Sequence, residues 1–393
     1  MKLIAFMIKP GRITGGPKRL LALASALRRN HVSVCIVAHP DSELSDAAKA
    51  QGHAAAQFPL SGLLALQQQG LFGTGVVFRC RVMMAMVRQH WSVLRCIQRN
   101  NGDVVWFRSS KGVAFAAMGA LLSGRPLVWD VDYELRSKGV VRYLHRFGLW
   151  AAQLVVFQYT EAPDAIFGRF LANKYRHKFH AILPGIDFSS LDSVIKSVAA
   201  DVGSVDDRPF TIVQVGTICD RKNQQFTLDA LTRLRMDGLE RPIKLLLIGG
   251  VFDEKYLESM RSVIESRGMG ISIEFLGWRG DVHKLIASSN LMVMPSRDEG
   301  VPNAVQEAMY LGVPAIVSPA GGMPEIIEHD KTGWVLSLDD PKVWATQVRK
   351  CVEIPGLCRR VGLEAAAYAR THFAMDAWGA KYAKLVRNIV ENR

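Results

Sequence analysis

Short apolar runs recur along the chain, and the segments between them carry apolar residues at every third or fourth position. The runs lie at 3–8, 32–38, 103–107, 126–130, 153–158 and 180–183, and again at 210–216, 243–249, 271–277, 291–294 and 314–318. Runs of this length, alternating with helical periodicity, are typical of buried parallel strands joined by helices. The pattern therefore predicts an α/β protein with doubly wound parallel sheets.

The chain has 393 residues, which is more than one hydrophobic core usually serves, so we predict two α/β domains. A polar stretch containing Ser, Asp and Gly, residues 188–209, separates the two sets of apolar runs. We therefore predict a first domain over 1–187, a linker over 188–209 and a second domain over 210–372.

Composition disfavours several classes of protein. The longest uncharged apolar run, 112–122, is too short to cross a bilayer, and the six-residue apolar run before Lys9 favours a first strand over a signal peptide. The six cysteines are scattered without a C-x-x-C pair. That arrangement favours reduced thiols in a cytoplasmic protein over disulfides or a zinc site.

Positive charge is concentrated in the first half of the chain. Residues 1–185 hold 24 Lys and Arg against 9 Asp and Glu, a net +15, whereas residues 186–393 hold 25 against 27, a net −2. A basic half can attract nucleic acid, anionic lipid or an anionic substrate, or it can be an ordinary soluble surface. Clustered aromatic residues for base stacking are not evident, which disfavours nucleic acid as a partner.

A helix predicted over residues 79–99 interleaves arginines with large apolar residues. Its apolar positions recur at three to four residues, so it could be a helix packed on the core. The same sequence could instead form an interfacial helix at an anionic membrane, with Arg toward the headgroups and Trp and Met toward the acyl chains.

The richest motif spans residues 295–325, where an apolar strand is followed by two carboxylates, Glu299 and Glu307, with seven residues between them. Pro302 suits the first turn of the helix that follows, because its missing N–H would be unpaired there anyway. The amides of that turn are then available to a ligand at the positive end of the helix. Gly321 and Gly322 allow a close approach of the backbone.

This frame resembles the donor-binding signature of retaining glycosyltransferases of family 4, also called glycosyltransferases group 1, which reads E-G-x-P-N-x-x-x-E-A-x-x-x-G-x-P. Matching positions are Glu299, Gly300, Pro302, Asn303, Glu307, Ala308, Gly312 and Pro314. The resemblance implies a GT-B architecture, in which two Rossmann-like doubly wound domains face each other across a cleft. It also implies that a C-terminal helix, 373–393, returns to the first domain.

The resemblance implies roles for these residues. Glu299 would hold sugar hydroxyls near the anomeric carbon, and Glu307 would accept hydrogen bonds from the ribose hydroxyls of the nucleotide. The other residues expected to complete the donor pocket are Gly300, Val301, Pro302 and Asn303.

Outside that frame, an apolar strand ends at Gly216, and Arg221 and Lys222 follow just before a helix. Two adjacent cations near a helix N-terminus suit a diphosphate, although such a pair can also be a solvated turn. The resemblance implies that both bind the donor diphosphate and neutralise it during catalysis. It likewise assigns Gly277 and Trp278 to the nucleobase, where the alternative is a plain turn, and Gly15 and Gly16 to a glycine loop that meets the diphosphate.

Asp130 and Asp132 form a D-x-D at the end of a predicted strand. A D-x-D can hold a metal ion, but this one is in the basic half, away from the donor motif, so we predict no metal site. Carboxyl ends of strands face the ligand crevice in open α/β sheets. Many family members carry His or Asp near this point, so Asp132 is the candidate catalytic residue on the acceptor side.

We therefore expect a metal-independent, retaining hexosyltransferase that moves a sugar from a UDP-sugar, in preference to a GDP-sugar, to a hydroxyl of a glycan or lipid-linked acceptor. Bacterial lipopolysaccharide, capsule or exopolysaccharide synthesis is the expected setting, with no additional cofactor. The location would be cytoplasmic, or peripheral at the inner face of the plasma membrane. The alternatives are a sugar-nucleotide epimerase or phosphorylase on the same fold, and a nucleotide-sugar or nucleic-acid binding protein that performs no chemistry.

Overall fold

The structure is a computed structural model that describes residues 1–7, 13, 15–58, 76–131, 141–199, 208–267 and 270–392. The chain divides into two compact units. The first unit comprises Met1–Gly185 together with Met375–Arg393, and the second comprises Ile186–Ala374.

The first unit is built on a seven-stranded sheet in which every pair of neighbouring strands is parallel. Its strands are β1 (Lys2–Met7), β2 (Ser33–Ala38), β3 (Ala54–Gln57), β4 (Val104–Arg108), β5 (Leu127–Asp130), β6 (Leu154–Phe157) and β7 (Phe179–Ala181). They lie side by side in the order β3-β2-β1-β4-β5-β6-β7. The central strands are apolar except at their ends, because helices cover the sheet.

Nine described helices belong to this unit. They are α1 (Gly15–Arg29), α2 (Leu44–Ala50), α3 (Val76–Arg99), α4 (Ser109–Leu122), α5 (Val141–Ala151), α6 (Ala162–Phe167), α7 (Arg169–Tyr175), a 3-10 helix (Arg176–Lys178) and the C-terminal helix, which is α16 in chain order (Met375–Glu391). α16 packs against α1 so closely that a Cβ on Gly379 would lie 2.6 Å from the Cβ of Ala26. Trp378 and Tyr382 of α16 are buried in the same core as β1.

The second unit repeats this plan with six parallel strands. They are β8 (Phe210–Val215), β9 (Ile243–Ile248), β10 (Ser272–Gly277), β11 (Leu291–Met294), β12 (Ala315–Val317) and β13 (Gly333–Val335). Their order is β10-β9-β8-β11-β12-β13. Its helices are α8 (Ser189–Ala199), a 3-10 helix (Asp220–Lys222), α9 (Gln224–Met236), α10 (Glu254–Arg267), α11 (Val282–Ala287), α12 (Asn303–Tyr310), α13 (Met323–Ile326), α14 (Pro341–Glu353) and α15 (Leu357–His372).

Residues 189–199 of the predicted linker form α8. Leu191 and Val194 lie three positions apart and are buried, which gives the helix an apolar face despite its polar composition. Asp192 on α8 accepts a hydrogen bond of 2.6 Å from the hydroxyl of Tyr310 on α12. Residues 200–207 of the predicted linker lie outside the described residues.

Both sheets have the strand order of a doubly wound Rossmann fold, in which the winding direction reverses between the first and fourth strands. In the second unit this reversal lies between β8 and β11. Because the chain leaves these two neighbouring strands in opposite directions, a crevice opens beyond their carboxyl ends. The loops that follow β8 and β11 therefore identify the place to look for a site.

Candidate functional site

The loops after β8 and β11 are joined by an ion pair. Lys222 follows β8 and Glu299 follows β11, and the Lys222 ammonium donates a hydrogen bond of 2.6 Å to the Glu299 carboxylate. Their side chains are only 11% and 7% exposed. A charge-assisted bond in such a buried place fixes both groups at the reversal point of the sheet.

Arg221 contributes a second cation to the same carboxylate. Its guanidinium lies 3.4 Å from the carboxylate of Glu299 and donates to the backbone carbonyl of Asp298 at 3.2 Å. The Arg221 side chain keeps 32% of its surface exposed, three times the fraction of Lys222. One carboxylate therefore holds two cations, and the more exposed cation is the one that reaches toward solvent.

Gly216 makes room for the Lys222 side chain. A Cβ at this glycine would lie 3.0 Å from Cε of Lys222 and would press on its aliphatic stem. After the 3-10 turn, Asn223 adopts the left-handed conformation, with φ 56° and ψ 43°, and begins α9. Its side-chain carbonyl accepts a 3.1 Å hydrogen bond from Arg297, so the loop after β11 also anchors the turn that carries the two cations.

The Glu299 loop is held from its other side by two glycines. Gly321 has φ +58°, and a Cβ there would overlap the backbone carbonyl of Glu299. The amide of Gly322 donates 2.9 Å to the carbonyl of Gly300. The close backbone approach predicted for these glycines is confirmed. It fixes the position of the Glu299 backbone relative to the loop after β12.

The helix α12 begins at Asn303, which places the amides of its first turn beside this loop. Pro302 is not in the first turn as predicted. It precedes the helix with φ −74° and ψ 122°, because its extended conformation turns the chain from the loop of Gly300 and Val301 into the helix axis. Gly300 and Val301 are both buried in that loop.

Glu307 lies in the middle of α12 and faces a histidine that the sequence analysis did not identify. His283 on α11 has its Nε2 3.4 Å from the Glu307 carboxylate, and both side chains are about three-quarters buried. No spacing along the chain could have paired them, because α11 and α12 are separated by β11 and its loop. His283 therefore orients the second carboxylate of the motif.

Gly277 ends β10, the edge strand beyond β9, and Trp278 follows it. Gly277 has φ +61°, and its carbonyl accepts a 2.8 Å hydrogen bond from the amide of Gly249 after β9. The indole of Trp278 is 82% exposed and lies against Gly250, where a Cβ would overlap its Nε1. A flat, accessible aromatic face thus stands at the carboxyl edge of the same sheet as the Lys222–Glu299 pair.

The remaining predicted residues belong to the first unit. Gly15 and Gly16 are the first two residues of α1, and an added Cβ at Gly16 would meet no heavy atom within 4 Å. Asp132 lies outside the described residues.

Asp130, the other half of the D-x-D, lies in a buried polar network. Its carboxylate is 3.9 Å from Arg108 and accepts a 3.3 Å hydrogen bond from Tyr382 of α16. Tyr382 in turn accepts from Trp106 at 2.7 Å, and burial, together with the nearby Asp130 carboxylate, raises the Tyr382 pKa well above its usual value. These contacts make Asp130 a link between the sheet and the C-terminal helix.

The second unit therefore brings together most of the predicted site. Gly216, Arg221, Lys222 and Glu299 converge directly, while Glu307 lies on the helix after β11 and Trp278 follows β10 at the carboxyl edge of the same sheet. Two cations beside a helix N-terminus form an anion-binding arrangement suited to a phosphate group. Within the described ranges, no group of three or more metal-ligating side chains occurs.

Comparison with known proteins gives this site a family. Residues 199–368, which contain all of these second-unit groups, match the family described as glycosyl transferases group 1. The crystal structure of Anabaena Alr3699/HepE in complex with UDP superposes with a TM-score of 0.78 over 99% of this chain and 100% of that chain, at 18% identity. That likeness shows that the fold is GT-B.

The curated relatives match this chain over only part of their own length. The Escherichia coli UDP-Gal:alpha-D-GlcNAc-diphosphoundecaprenol alpha-1,3-galactosyltransferase is 22% identical over 262 residues, 63% of this chain and 66% of that protein. A Mycobacterium tuberculosis GDP-mannose-dependent alpha-(1-6)-phosphatidylinositol monomannoside mannosyltransferase is 25% identical over 268 residues, 62% of this chain and 64% of that protein. The chain spans between 35% and 66% of the length of the curated relatives that it matches.

The family match falls on the unit whose strand ends carry the Lys222–Glu299 pair, and the superposition extends over both units. The motif that resembled family 4 in the sequence lies within the matched residues, with its two carboxylates on the loop and helix after β11. On these grounds residues 199–368 of the chain belong to the family described as glycosyl transferases group 1.

Proposed function

We propose that this protein transfers a sugar from a nucleoside diphosphate sugar to an acceptor hydroxyl, with retention of the anomeric configuration. The observation that carries the proposal is the convergence of Lys222 and Arg221 on Glu299 at the reversal point of the second sheet. A buried carboxylate between two cations is unusual in a surface turn. It suits a site where an anionic leaving group must be met by preorganised positive charge.

In the proposed reaction the bond between the anomeric carbon and the diphosphate oxygen breaks, and its electron pair leaves with the diphosphate. A new bond forms between that carbon and the acceptor oxygen, whose proton passes to the departing diphosphate. Lys222 and Arg221 neutralise the charge that develops on the leaving diphosphate. We assign no covalent nucleophile to Glu299, since the two-carboxylate scheme of glycoside hydrolysis does not apply to this motif.

The other residues position the donor. Glu299 orients sugar hydroxyls near the anomeric carbon, and Glu307, held by His283, accepts from the ribose hydroxyls. Gly277 and Trp278 flank the nucleobase, and Gly300, Val301, Pro302 and Asn303 line the sugar and phosphate pocket. From the first unit, Gly15 and Gly16 provide amides for the diphosphate, and Asp132 serves the acceptor.

We propose UDP as the nucleotide. HepE is described in complex with UDP and with UDP-glucose, and the E. coli relative is described as using UDP-Gal, while the M. tuberculosis relative is described as using GDP-mannose. The E. coli relative's acceptor is described as a diphosphoundecaprenol lipid. These descriptions support a lipid-linked acceptor in bacterial lipopolysaccharide, capsule or exopolysaccharide synthesis, at the cytoplasmic face of a membrane.

A panel of UDP-, GDP- and ADP-sugars tests the proposal. Thermal shift should identify one nucleotide family that stabilises the protein, and mass spectrometry of the reaction should then detect the glycosylated acceptor and free nucleoside diphosphate. Isomerisation of the donor without a glycosylated product would show an epimerase instead. Stabilisation by a donor with no turnover on any acceptor would show a binding protein.

A further inference from the structure

Three consecutive helices of the first unit share one surface. α4 packs against both α3 and α5, and it also contacts β4 and β5 of the sheet. We call the solvent-facing side of α3, α4 and α5 the outer helical surface. Among the described residues, no helix is long and apolar enough to span a membrane.

The helix α3 has a buried face and an exposed face that are both apolar in part. Val93 and Ile97 are buried against the unit, whereas Met84, Val87 and Trp91 are 55%, 57% and 55% exposed. Arg81, Arg88 and Arg95 are also exposed and lie on the same helical stripe as Met84 and Trp91, at spacings of three and four residues. Of the two alternatives for this segment, packing on the core accounts for the buried face but not for the exposed apolar residues on the other face.

Exposed apolar and aromatic side chains also occur on the neighbouring helices α4 and α5. On α4, Met118 and Leu122 are 42% and 59% exposed. On α5, Tyr143 and Trp150 are each 59% exposed, and the guanidinium groups of Arg142 and Arg146 lie 5.2 and 5.8 Å from the Tyr143 ring centroid.

Charge on this surface has one sign. The sequences of α3, α4 and α5 contain no Asp or Glu, whereas exposed arginines stand at 81, 88, 95, 99, 142 and 146. Arginines on an ordinary solvated helix are usually interleaved with carboxylates that pair with them. Here large apolar side chains are interleaved with them instead, and keeping such side chains in water is unfavourable by about 25 cal/mol per Å² of apolar area.

We propose that the outer helical surface docks on an anionic lipid bilayer. Trp, Tyr and Met side chains would enter the boundary between headgroups and acyl chains, and the arginines would contact lipid phosphates. Nucleic acid fits less well: Trp91, Tyr143 and Trp150 offer faces for stacking on bases, but a phosphate backbone would leave the exposed apolar side chains of Met84, Val87 and Leu122 uncovered. A protein partner would have to be acidic as well as apolar, whereas an anionic bilayer supplies both properties along a flat surface.

This inference deepens the proposed function, since it rests on an acceptor that is anchored in a membrane. Membrane docking and sugar transfer are tested by separate measurements, so one can be contradicted while the other stands. Vesicle binding is measured with the full-length protein alone, without donor or acceptor, and sugar transfer is measured on a water-soluble acceptor.

The experiment is co-sedimentation with vesicles of phosphatidylcholine alone and with about one third phosphatidylglycerol. We expect binding only to the anionic vesicles, a decrease with added salt, and a blue shift of tryptophan fluorescence. Each arginine near an anionic surface strengthens binding about fivefold, so the combined Arg88→Gln, Arg95→Gln and Arg146→Gln variant should bind about 100-fold more weakly. The Trp91→Ser and Trp150→Ser variant should lose both binding and most of the blue shift.

Matched controls come from the second unit, where Met236 is 76% exposed and Arg261 is exposed. Met236→Ser and Arg261→Gln should bind vesicles like the wild type, and circular dichroism should show all variants folded. The proposal is overturned if wild type fails to sediment with anionic vesicles at low salt, or if the arginine variant binds as well as wild type. Binding to an RNA or DNA oligonucleotide that the arginine variant loses, with no vesicle binding, would assign the surface to nucleic acid.

Discussion

Lys222 is charge-compensated before any substrate arrives, because Glu299 lies 2.6 Å from its ammonium and Arg221 shares the same carboxylate. A buried charge without a partner is strongly unfavourable, so the pairing with Glu299 allows Lys222 to be buried near the end of β8. When an anionic ligand enters, the cations can be shared between it and Glu299. The pair therefore preorganises positive charge and adds little to stability by itself.

Lys222→Ala is expected to lower the transfer rate on the order of 100- to 1,000-fold, because the leaving diphosphate loses a preorganised cation. Steady-state assays with a saturating donor measure it. The matched control is Lys244→Ala, which removes a lysine paired with Glu274 at 2.7 Å on the outer strands of the same sheet. Near wild-type turnover for Lys222→Ala would exclude Lys222 from the site.

The two glutamates are expected to differ in what they bind. Glu307→Ala should weaken binding of the free nucleoside diphosphate, because the ribose loses its acceptor. Glu299→Ala should leave that affinity largely unchanged, since both cations stay available to the diphosphate, and should lower turnover. Isothermal titration of UDP onto each variant distinguishes these outcomes, and equal losses of affinity would contradict the assignment.

Combining a His283 variant with the Glu307 variant tests whether the two residues act together in nucleotide binding. Because its imidazole lies 3.4 Å from Glu307, His283→Ala should reduce nucleotide affinity in the wild type and have little further effect in Glu307→Ala. Residues in direct contact show such non-additivity, whereas independent residues do not.

Loops and helices, rather than single side chains, set the positions of these groups. The loop after β11 carries Glu299, and the glycine pair after β12 holds that loop from above. Both glycines follow β12, which pairs with β11, so the pairing of these strands brings the two loops together. The geometry of the site is therefore a property of adjacent strand ends.

Gly321→Ala is expected to displace the Glu299 loop and to abolish most of the activity, because its Cβ would overlap the carbonyl of Glu299. Gly238→Ala separates this effect from backbone strain. Gly238 also has a positive φ, +87°, but an added Cβ there meets no atom within 4 Å. Both variants should lose roughly 1–2 kcal/mol of stability from the left-handed conformation. Only Gly321→Ala should lose activity, and similar activity in both would contradict the argument.

His145 on α5 predicts a pH dependence of stability. It is fully buried beside Trp129 and Phe167, and burial lowers its pKa from 6.5 to about 4. Between these values the unfolded chain binds a proton that the folded protein does not, so stability rises with pH and is lost as the pH falls from 6.5 toward 4. Urea midpoints at pH 6.5 and 4.5 should differ less for His145→Gln than for wild type. The exposed His177→Gln should behave like wild type.

The molecule contains the same strand order twice, with the pair of cations at the end of the second sheet and the exposed arginines on helices of the first unit. Under the two proposals, donor chemistry belongs to the second unit and membrane attachment to the first. This division also explains the uneven charge along the chain, because a net +15 in the first half is not needed for a diphosphate site located in the second.

Under the proposed mechanism, transfer activity is expected to persist in EDTA, because Arg221, Lys222 and a helix terminus would neutralise the diphosphate in place of a metal ion. Assays after extensive dialysis against the chelator, with and without added Mn²⁺, measure this. Loss of activity in EDTA that added Mn²⁺ restores would instead indicate a metal site at Asp130 and Asp132.

Much of the fold followed from periodicity. The apolar runs predicted eleven of the thirteen described strands within a residue or two, because a strand buried on both faces must be apolar along its length. The two missed strands, β3 (Ala54–Gln57) and β13 (Gly333–Val335), lie at sheet edges and are only four and three residues long. The helix α8 was missed because a polar composition concealed its two buried residues.

Local spacing determined the identity of the motif residues, since Glu299, Glu307 and the Arg221–Lys222 pair are recognisable from their neighbours in the chain. Three-dimensional packing alone determined that Glu299 pairs with Lys222 from 77 positions away, that His283 faces Glu307, and that Trp91 points outward. The physical reason is the same in each case. A periodic pattern specifies which residues share a face of one element, but the partners of that face depend on which elements the folded chain brings alongside it.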